Sequence, residues 1–156
     1  KLEIEKYLDD RNITDYEIVE KEQGSIPMTC YKFWRNNTKN IIHIGTAGGW
    51  SKASTGFTFK NTTKKTAKLI EHIKQHKPLS EFHKINKFWY YDLLLLDILH
   101  KKNHLGASIF AHLFKRTSAK KILKFLDEET SLYEDLQIEI KMPPNNFIKA
   151  VFRRIF

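Results

Sequence analysis

A change of residue pattern in the middle of the first half of the chain constrains the fold most. Up to residue 44, short stretches alternate or are rich in β-branched and aromatic residues, at 16–20, 28–34 and 41–44. A loop of small residues then runs from 45 to 56, and beyond it apolar residues recur at helical spacing. We therefore predict an α+β fold, with a few N-terminal strands followed by a long helix and a helical C-terminal part.

The long helix is predicted over about 58–76, since Leu69, Ile70 and Ile73 share one face and Pro78 ends the pattern. We place the boundary between two regions there, at 1–77 and 78–156. Four further helices are expected after Ile85, and a last one follows the break at Pro143-Pro144. Ser118 is a candidate N-cap, and Ser131 with Glu134 fits a capping box.

The predicted strands are too few to form a stable sheet by themselves. We expect them to be edge pieces of a larger sheet whose other strands lie upstream. The chain also begins with Lys1 rather than methionine. Both observations favour a fragment of a longer protein.

Basic residues are concentrated in the second part of the chain. The net charge is +9, and residues 51–156 carry twenty Lys and Arg against ten Asp and Glu. Such a surface attracts phosphate groups of nucleic acids, anionic lipids or a phosphorylated cofactor, and charge alone does not choose between these.

No metal site is predicted. Cys30 is the single cysteine, which excludes a disulfide framework and a zinc site built from several cysteines. The histidine pairs at 72 and 76 and at 100 and 104 have helical spacing, but no third ligand accompanies them.

Two segments have the residue types for chemistry. The small-residue loop before a helix lets a ligand approach the backbone, and the unpaired N–H groups of a helix start attract anions. Its spacing is neither a Walker loop nor GxGxxG, so the pattern alone favours an ordinary turn. Glu22 stands beside a glycine and a proline, where a carboxylate can act as a positioned acid or base, although an exposed glutamate is commoner.

Together these segments resemble the flavin-dependent lycopene β-cyclases, and the chain is similar to the C-terminal portion of such an enzyme. The matching motifs are Glu22-Gln23-Gly24-x-Ile26-Pro27-Met28-Thr29, then Ile44 to Phe57 with its Ala-Gly-x-x-x-x-x-Ser-Thr-Gly-Phe pattern, Phe88-x-x-Tyr91-Asp92-x-Leu94-Leu95, and Phe125-Leu126-Asp127. They occur in the same order across nearly the whole chain.

The resemblance implies an FAD-binding α/β protein with a glutathione-reductase-like Rossmann fold. Because this chain lacks GxGxxG, its partner would be the upstream Rossmann portion of the same protein. The family's second FAD contact maps onto the loop residues Gly45, Thr46, Ala47, Gly48, Gly49, Ser54, Thr55 and Gly56.

The resemblance also implies the reaction, a cyclisation of lycopene ends to β-ionone rings without net redox change. It requires reduced FAD, with NADPH as the reductant. Glu22 is then the candidate catalytic acid, and the expected substrate-lining residues are Ile26, Pro27, Met28, Trp50 and Phe57. A fragment of this size is expected to be inactive alone.

One similarity is interpreted as coincidence. Residues 125–130 look like a Phe-Leu-Glu-Glu-Thr motif with a catalytic role in plant cyclases, but that motif belongs upstream of the Ile-Pro-Met segment. We therefore expect no catalytic role for the copy here.

Lycopene is insoluble in water, so we expect a cytoplasmic protein with peripheral membrane contact through the basic helices of 84–156. The alternatives are another FAD-dependent oxidoreductase or monooxygenase of the same superfamily, and a basic helical module that binds nucleic acid. No helix-turn-helix or RNA-stacking signature supports the last, so nucleic acid is not an expected partner.

Overall fold

The computed structural model describes residues 2–141 and 144–155, and within them the regular structure is entirely helical. The helices are α1 (Leu2–Asp9), α2 (Phe59–Lys74), α3 (Lys87–Lys102), α4 (Gly106–Arg116), α5 (Ala119–Leu126), α6 (Leu132–Glu139) and α7 (Pro144–Ile155). Short 3-10 turns occur at Phe33–Asn36, Gly45–Gly48, Leu79–Glu81 and Asn103–Leu105. The predicted break at Pro143 lies outside the described residues.

The predicted N-terminal strands are wrong, and so is the α+β fold class that depended on them. Within the described residues no strand forms at 16–20, 28–34 or 41–44, and part of the second stretch is a 3-10 turn. Val19 is 89% exposed. A strand needs a neighbour to satisfy its backbone groups, and the described chain offers none. Alternation of apolar residues therefore did not predict a sheet here, because it does not show that a second segment pairs with the first.

The helical expectations after the loop are confirmed. Helix α2 begins at Phe59 and ends at Lys74, close to the predicted bounds. Helix α7 covers the predicted last amphipathic segment. These helices were predictable because a helix satisfies its backbone hydrogen bonds within its own segment, whatever its neighbours are.

Two apolar clusters form the core. The first joins Ile98 of α3, Ile109 of α4 and Ala150 of α7. The second joins Leu113 of α4 to Ile122 of α5 and Ile138 of α6. Because Ile109 and Leu113 lie one turn apart on the same face of α4, this helix links the two clusters.

The irregular N-terminal segment is attached to the helical part by aromatic contacts. The rings of Trp34 and His83 stack with centroids 3.8 Å apart and an interplanar angle of 7°. Trp34 also meets the ring of Trp89 edge-on, at 6.4 Å between centroids. The Cys30 thiol points to the Trp89 carbonyl oxygen at 3.8 Å. These contacts place residues 30–34 beside the start of α3.

Of the helices in the described residues, none is both long enough and apolar enough to cross a bilayer. The same part of the chain contains no group of three or more His, Cys, Asp or Glu side chains arranged to hold a metal ion.

The predicted capping box of α6 is confirmed. Ser131 Oγ accepts a hydrogen bond from the Glu134 backbone N–H at 3.3 Å, and Glu134 Oε2 accepts one from the Ser131 N–H at 2.8 Å. Hydrogen bonds from Lys124, and then from the Ser131 backbone, lower the pKa of Glu134 to about 2. Ser118 does occupy the N-cap position of α5, but its side chain makes no capping hydrogen bond.

This difference between two serines gives a test of the fold. Ser131→Ala removes a cap and is expected to lower the free energy of unfolding by about 1 kcal/mol. Ser118→Ala is the matched control and should change it by less than about 0.5 kcal/mol. Urea denaturation followed by circular dichroism measures both, and equal losses would show that the cap does not account for the effect.

Candidate functional site

Three buried polar side chains meet where the small-residue loop packs on α3. Lys52, Ser54 and Asp92 are 2%, 4% and 5% exposed. Lys52 Nζ lies 2.8 Å from Asp92 Oδ1, and Ser54 Oγ donates a hydrogen bond to the same oxygen at 2.6 Å. We call these residues the buried polar triad, and they tie the loop to the helix.

Glycines and short backbone hydrogen bonds fold the loop. Gly45, Gly49 and Gly56 have φ values of +59°, +66° and +72°, which glycine adopts without the penalty that a Cβ would bring. The Lys52 N–H donates to the Phe57 carbonyl, and the Gly56 N–H donates to the Lys52 carbonyl, both at 2.8 Å. The loop therefore closes on itself and turns Lys52 and Ser54 inward.

A cavity of about 490 Å³ lies on one side of the triad and is called the polar cavity. Helix α2 contributes basic side chains to it, and the turn after α5 contributes acidic ones. Its lining includes Trp34, Gly49, Trp50, Lys52, Lys64, Lys65, Lys68, His83, Trp89, Asp92, Asp127, Glu128 and Glu129. Charged groups and flat aromatic rings are thus combined in one wall.

A second cavity of about 500 Å³ lies among α3 to α7 and is called the apolar cavity. Its walls are mainly Leu94, Leu95, Ile109, Phe110, Leu113, Phe125, Leu126, Ile138, Phe147, Ile148, Val151 and Phe152. Ser54 and Asp92 are among its few polar lining residues. Asp92 therefore lines both cavities, and the triad forms part of the partition between them.

Lys52 keeps donor capacity inside the polar cavity. Although its Nζ is close to Asp92 Oδ1, the direction is not that of a hydrogen bond, and the buried Nζ has no aligned acceptor among the described residues. Glu128 Oε1 is 3.7 Å away. Its ion pair with Asp92 offsets the cost of burying the charge, and its N–H groups can still donate to a further acceptor.

Burial dominates the titration of groups around the polar cavity. It raises the pKa of the Cys30 thiol to about 12, with the charge of Asp92 as a smaller cause. It lowers the pKa of His83 to about 4, helped by the nearby charge of Lys65. It also lowers the pKa of Lys65. These shifts are those of a site shielded from solvent.

The structure brings part of the predicted cofactor loop to the polar cavity. Of the predicted cofactor-binding residues, Thr46 and Gly49 line it. Gly48 is packed against the chain itself, since a Cβ there would lie 2.0 Å from the His43 carbonyl oxygen. Ser54 is turned to Asp92 and the apolar cavity instead.

The remaining residues of the predicted loop are spread around it. Ala47 and Thr55 are exposed, and Gly45 and Gly56 serve the turns described above. None of these four lines the polar cavity.

The predicted catalytic and substrate residues are not brought together. Glu22, Ile26, Met28 and Phe57 are exposed, and the first three lie on the irregular segment. Pro27 lines the polar cavity, as Trp50 does. Their assigned roles therefore stay predictions.

Sequence reasoning missed Lys52 and Asp92. Asp92 had a visible signal, because it interrupts the most apolar run of the chain and a carboxylate there must find a partner. The acidic residues 127–129, expected to have no catalytic role, line the polar cavity. Asp127 forms an ion pair with Lys60, and Glu129 forms one with Lys64 at 2.5 Å.

The depressed pKa of His83 gives a pH dependence of stability. With a pKa near 6.5 unfolded and about 4 folded, the unfolded state binds more protons between these values, so stability falls as the pH falls through this window. Because His83 is only half-buried, we expect a loss of about 1 kcal/mol between about pH 7 and about pH 5.

Urea denaturation at the two pH values measures this loss. His83→Phe keeps an aromatic ring beside Trp34 and should remove this loss of about 1 kcal/mol from the pH dependence of the free energy of unfolding. The exposed His100 is the control, and His100→Gln should leave the slope unchanged. The same slope in His83→Phe as in the wild type would contradict the assignment.

The family model described as lycopene cyclase protein matches residues 1–151. A search of curated proteins finds no match, and a search of solved structures finds none either.

Proposed function

The chain belongs to the lycopene cyclase family, and from this premise we propose that it takes part in the flavin-dependent cyclisation of lycopene ends to β-ionone rings. The family indicates a cyclase enzyme with a carotenoid substrate. The observation that carries the finer proposal is the pairing of an apolar cavity with a charged one across the buried polar triad.

The apolar cavity suits a hydrocarbon substrate. Side chains such as Leu94, Ile109, Phe110 and Leu113 present carbon surfaces on several sides, and a lycopene end has no polar group to satisfy. Ligand cavities in proteins are usually 300–1,000 Å³, and a cavity of about 500 Å³ falls in that range. Walls of this kind also exclude water, which would otherwise capture a carbocation.

The residues of the polar cavity fit an anionic, flat cofactor, and we propose reduced FAD with NADPH as its reductant. Lys52 Nζ has unused donors there, Lys68 adds positive charge, and the aromatic side chains of Trp50 and Trp89 line the cavity. When bound, reduced flavin supplies negative charge that stabilises a nearby carbocation. The chain's part is to hold that group with Lys52 and the loop backbone.

Glu22 remains the proposed proton donor. Its support is the Glu-x-Gly-x-Ile-Pro-Met motif, which ends beside Thr29 and Cys30, two residues of the polar cavity wall. Ile26 and Met28 belong to the same motif, and Phe57 ends the Ser-Thr-Gly-Phe pattern, so these three are proposed substrate contacts on the grounds of the motifs. No second function is favoured, although another flavoenzyme reaction is an outcome of the test below.

The test is chromatography of the carotenoids from a lycopene-accumulating host that expresses the complete reading frame. We expect γ-carotene or β-carotene to appear. Glu22→Gln should lower the cyclised fraction about 100-fold, since a general acid contributes that much or more. Unchanged lycopene with FAD retained would contradict the proposal and favour another flavoenzyme reaction.

Peripheral membrane contact is proposed for the basic helical region, because the substrate dissolves in bilayers and not in water. Lys101, Lys102 and Lys115 are exposed there. Each basic residue near an anionic surface contributes about 1 kcal/mol, so losing three of them costs about 3 kcal/mol. Reversing these three to Glu should therefore weaken binding to phosphatidylserine vesicles by more than about 100-fold.

Sedimentation with such vesicles at low salt measures this binding. The matched control reverses Lys6, Lys21 and Lys39, which are also exposed but lie in the N-terminal part. Equal weakening by the two sets would show that net charge, and not this region, governs the contact.

A further inference from the structure

We propose that Asp92 is a second catalytic carboxylate, which accepts the proton lost by the ring-closed carbocation in the apolar cavity. This inference rests on the proposed function. It starts from the position of Asp92, since this side chain is 5% exposed and lines both cavities. Its position on α3 places it one helical turn after Phe88 and one before Leu95.

The hydrogen-bond pattern leaves one carboxylate oxygen available. Both contacts that hold Asp92 go to Oδ1, from Ser54 Oγ at 2.6 Å and from Lys52 Nζ at 2.8 Å. No hydrogen bond to Oδ2 is found within residues 2–141 and 144–155. One oxygen thus fixes the orientation of the carboxylate, and the other has its lone pairs free to accept a proton.

Lys52 makes a buried carboxylate tolerable at this place. A charge inside an apolar wall is costly unless it is paired and hydrogen-bonded, and Asp92 is both. The ion-pair distance of 2.8 Å is to Oδ1, the oxygen that also accepts the Ser54 hydrogen bond. In the low dielectric of such a wall, a negative group also stabilises positive charge on a nearby polyene.

The step balances without a further reactant. A proton added to C2 of the linear end leaves a tertiary cation at C1, and the C5=C6 electron pair forms the C1–C6 bond. The positive charge then lies at C5. The C6–H bond breaks, its electrons restore the C5=C6 double bond, and the proton goes to Asp92 Oδ2. One proton enters and one leaves, so no oxidation or reduction occurs.

Asp92→Asn in the complete protein tests the inference, with the carotenoids of a lycopene-accumulating host as the readout. We expect at least about 100-fold less cyclised product, as for loss of a general base. The residual product should also contain rings with a displaced double bond, because the cation then loses a proton from another carbon. Asp92→Glu should restore part of the β-ring product.

Asp97→Asn is the matched control. Asp97 lies on the same helix and accepts hydrogen bonds from Arg153, including one from Nε at 3.0 Å, but it lines neither cavity. Its replacement should leave both the amount and the ring type unchanged. If Asp92→Asn behaves like Asp97→Asn while the wild type cyclises lycopene, the inference is overturned and the proposed function stands.

A second variant tests the inference if Asp92→Asn does not fold. Should Asp92→Asn be insoluble, Ser54→Ala replaces it, because this change removes one hydroxyl and leaves the ion pair. We expect an altered ring ratio from a folded variant with a somewhat lower melting temperature, since the carboxylate loses its fixed orientation and one buried hydrogen bond. A wild-type ring ratio in Ser54→Ala would then overturn the inference. Absence of carotenes from the wild type would instead contradict the proposed function itself.

Discussion

The ion pair between Lys52 and Asp92 is the interaction on which the rest of the site depends. It joins the small-residue loop to α3 in a place that is almost entirely buried, with Ser54 adding a hydrogen bond to the same oxygen. Breaking a buried pair by removing one partner costs about 3–5 kcal/mol, because an uncompensated charge remains. Both cavities share this partition, so a change in the pair alters the polar side and the apolar side together.

Helix α4 connects the two apolar clusters and forms part of the wall of the apolar cavity. Ile109 and Leu113 belong to different apolar clusters, so α4 couples the packing of α3 and α7 to that of α5 and α6. The same two side chains line the apolar cavity. Its shape is therefore set by core packing, and a substitution that relaxes either cluster also changes the volume offered to a substrate.

The helices were predictable from the sequence, and the partners of side chains were not. Periodicity located α2 and α7, and Ser131 with Glu134 located the cap of α6, because these features depend on residues close in sequence. The prediction of strands was wrong because strand pairing depends on two segments and not on the pattern of one. Asp92 and Lys52 stand forty residues apart, so only the folded chain shows that they form a pair. The sequence does indicate that Asp92 needs a partner, because a carboxylate within an apolar run is costly to bury alone.

The basic charge of the second part of the chain has a different meaning in the folded protein than in the sequence. Lys52 is buried and paired with Asp92, so this cation belongs to the wall of the polar cavity and not to the outer surface. Lys60 and Lys64 pair with Asp127 and Glu129 closer to solvent. Residues such as Lys101 and Lys115 remain exposed. The net charge of the sequence therefore does not distinguish two kinds of basic residue. Some form ion pairs around a shielded site, and others form an outward positive surface. Only the outward positive surface is screened by salt as the net charge would suggest.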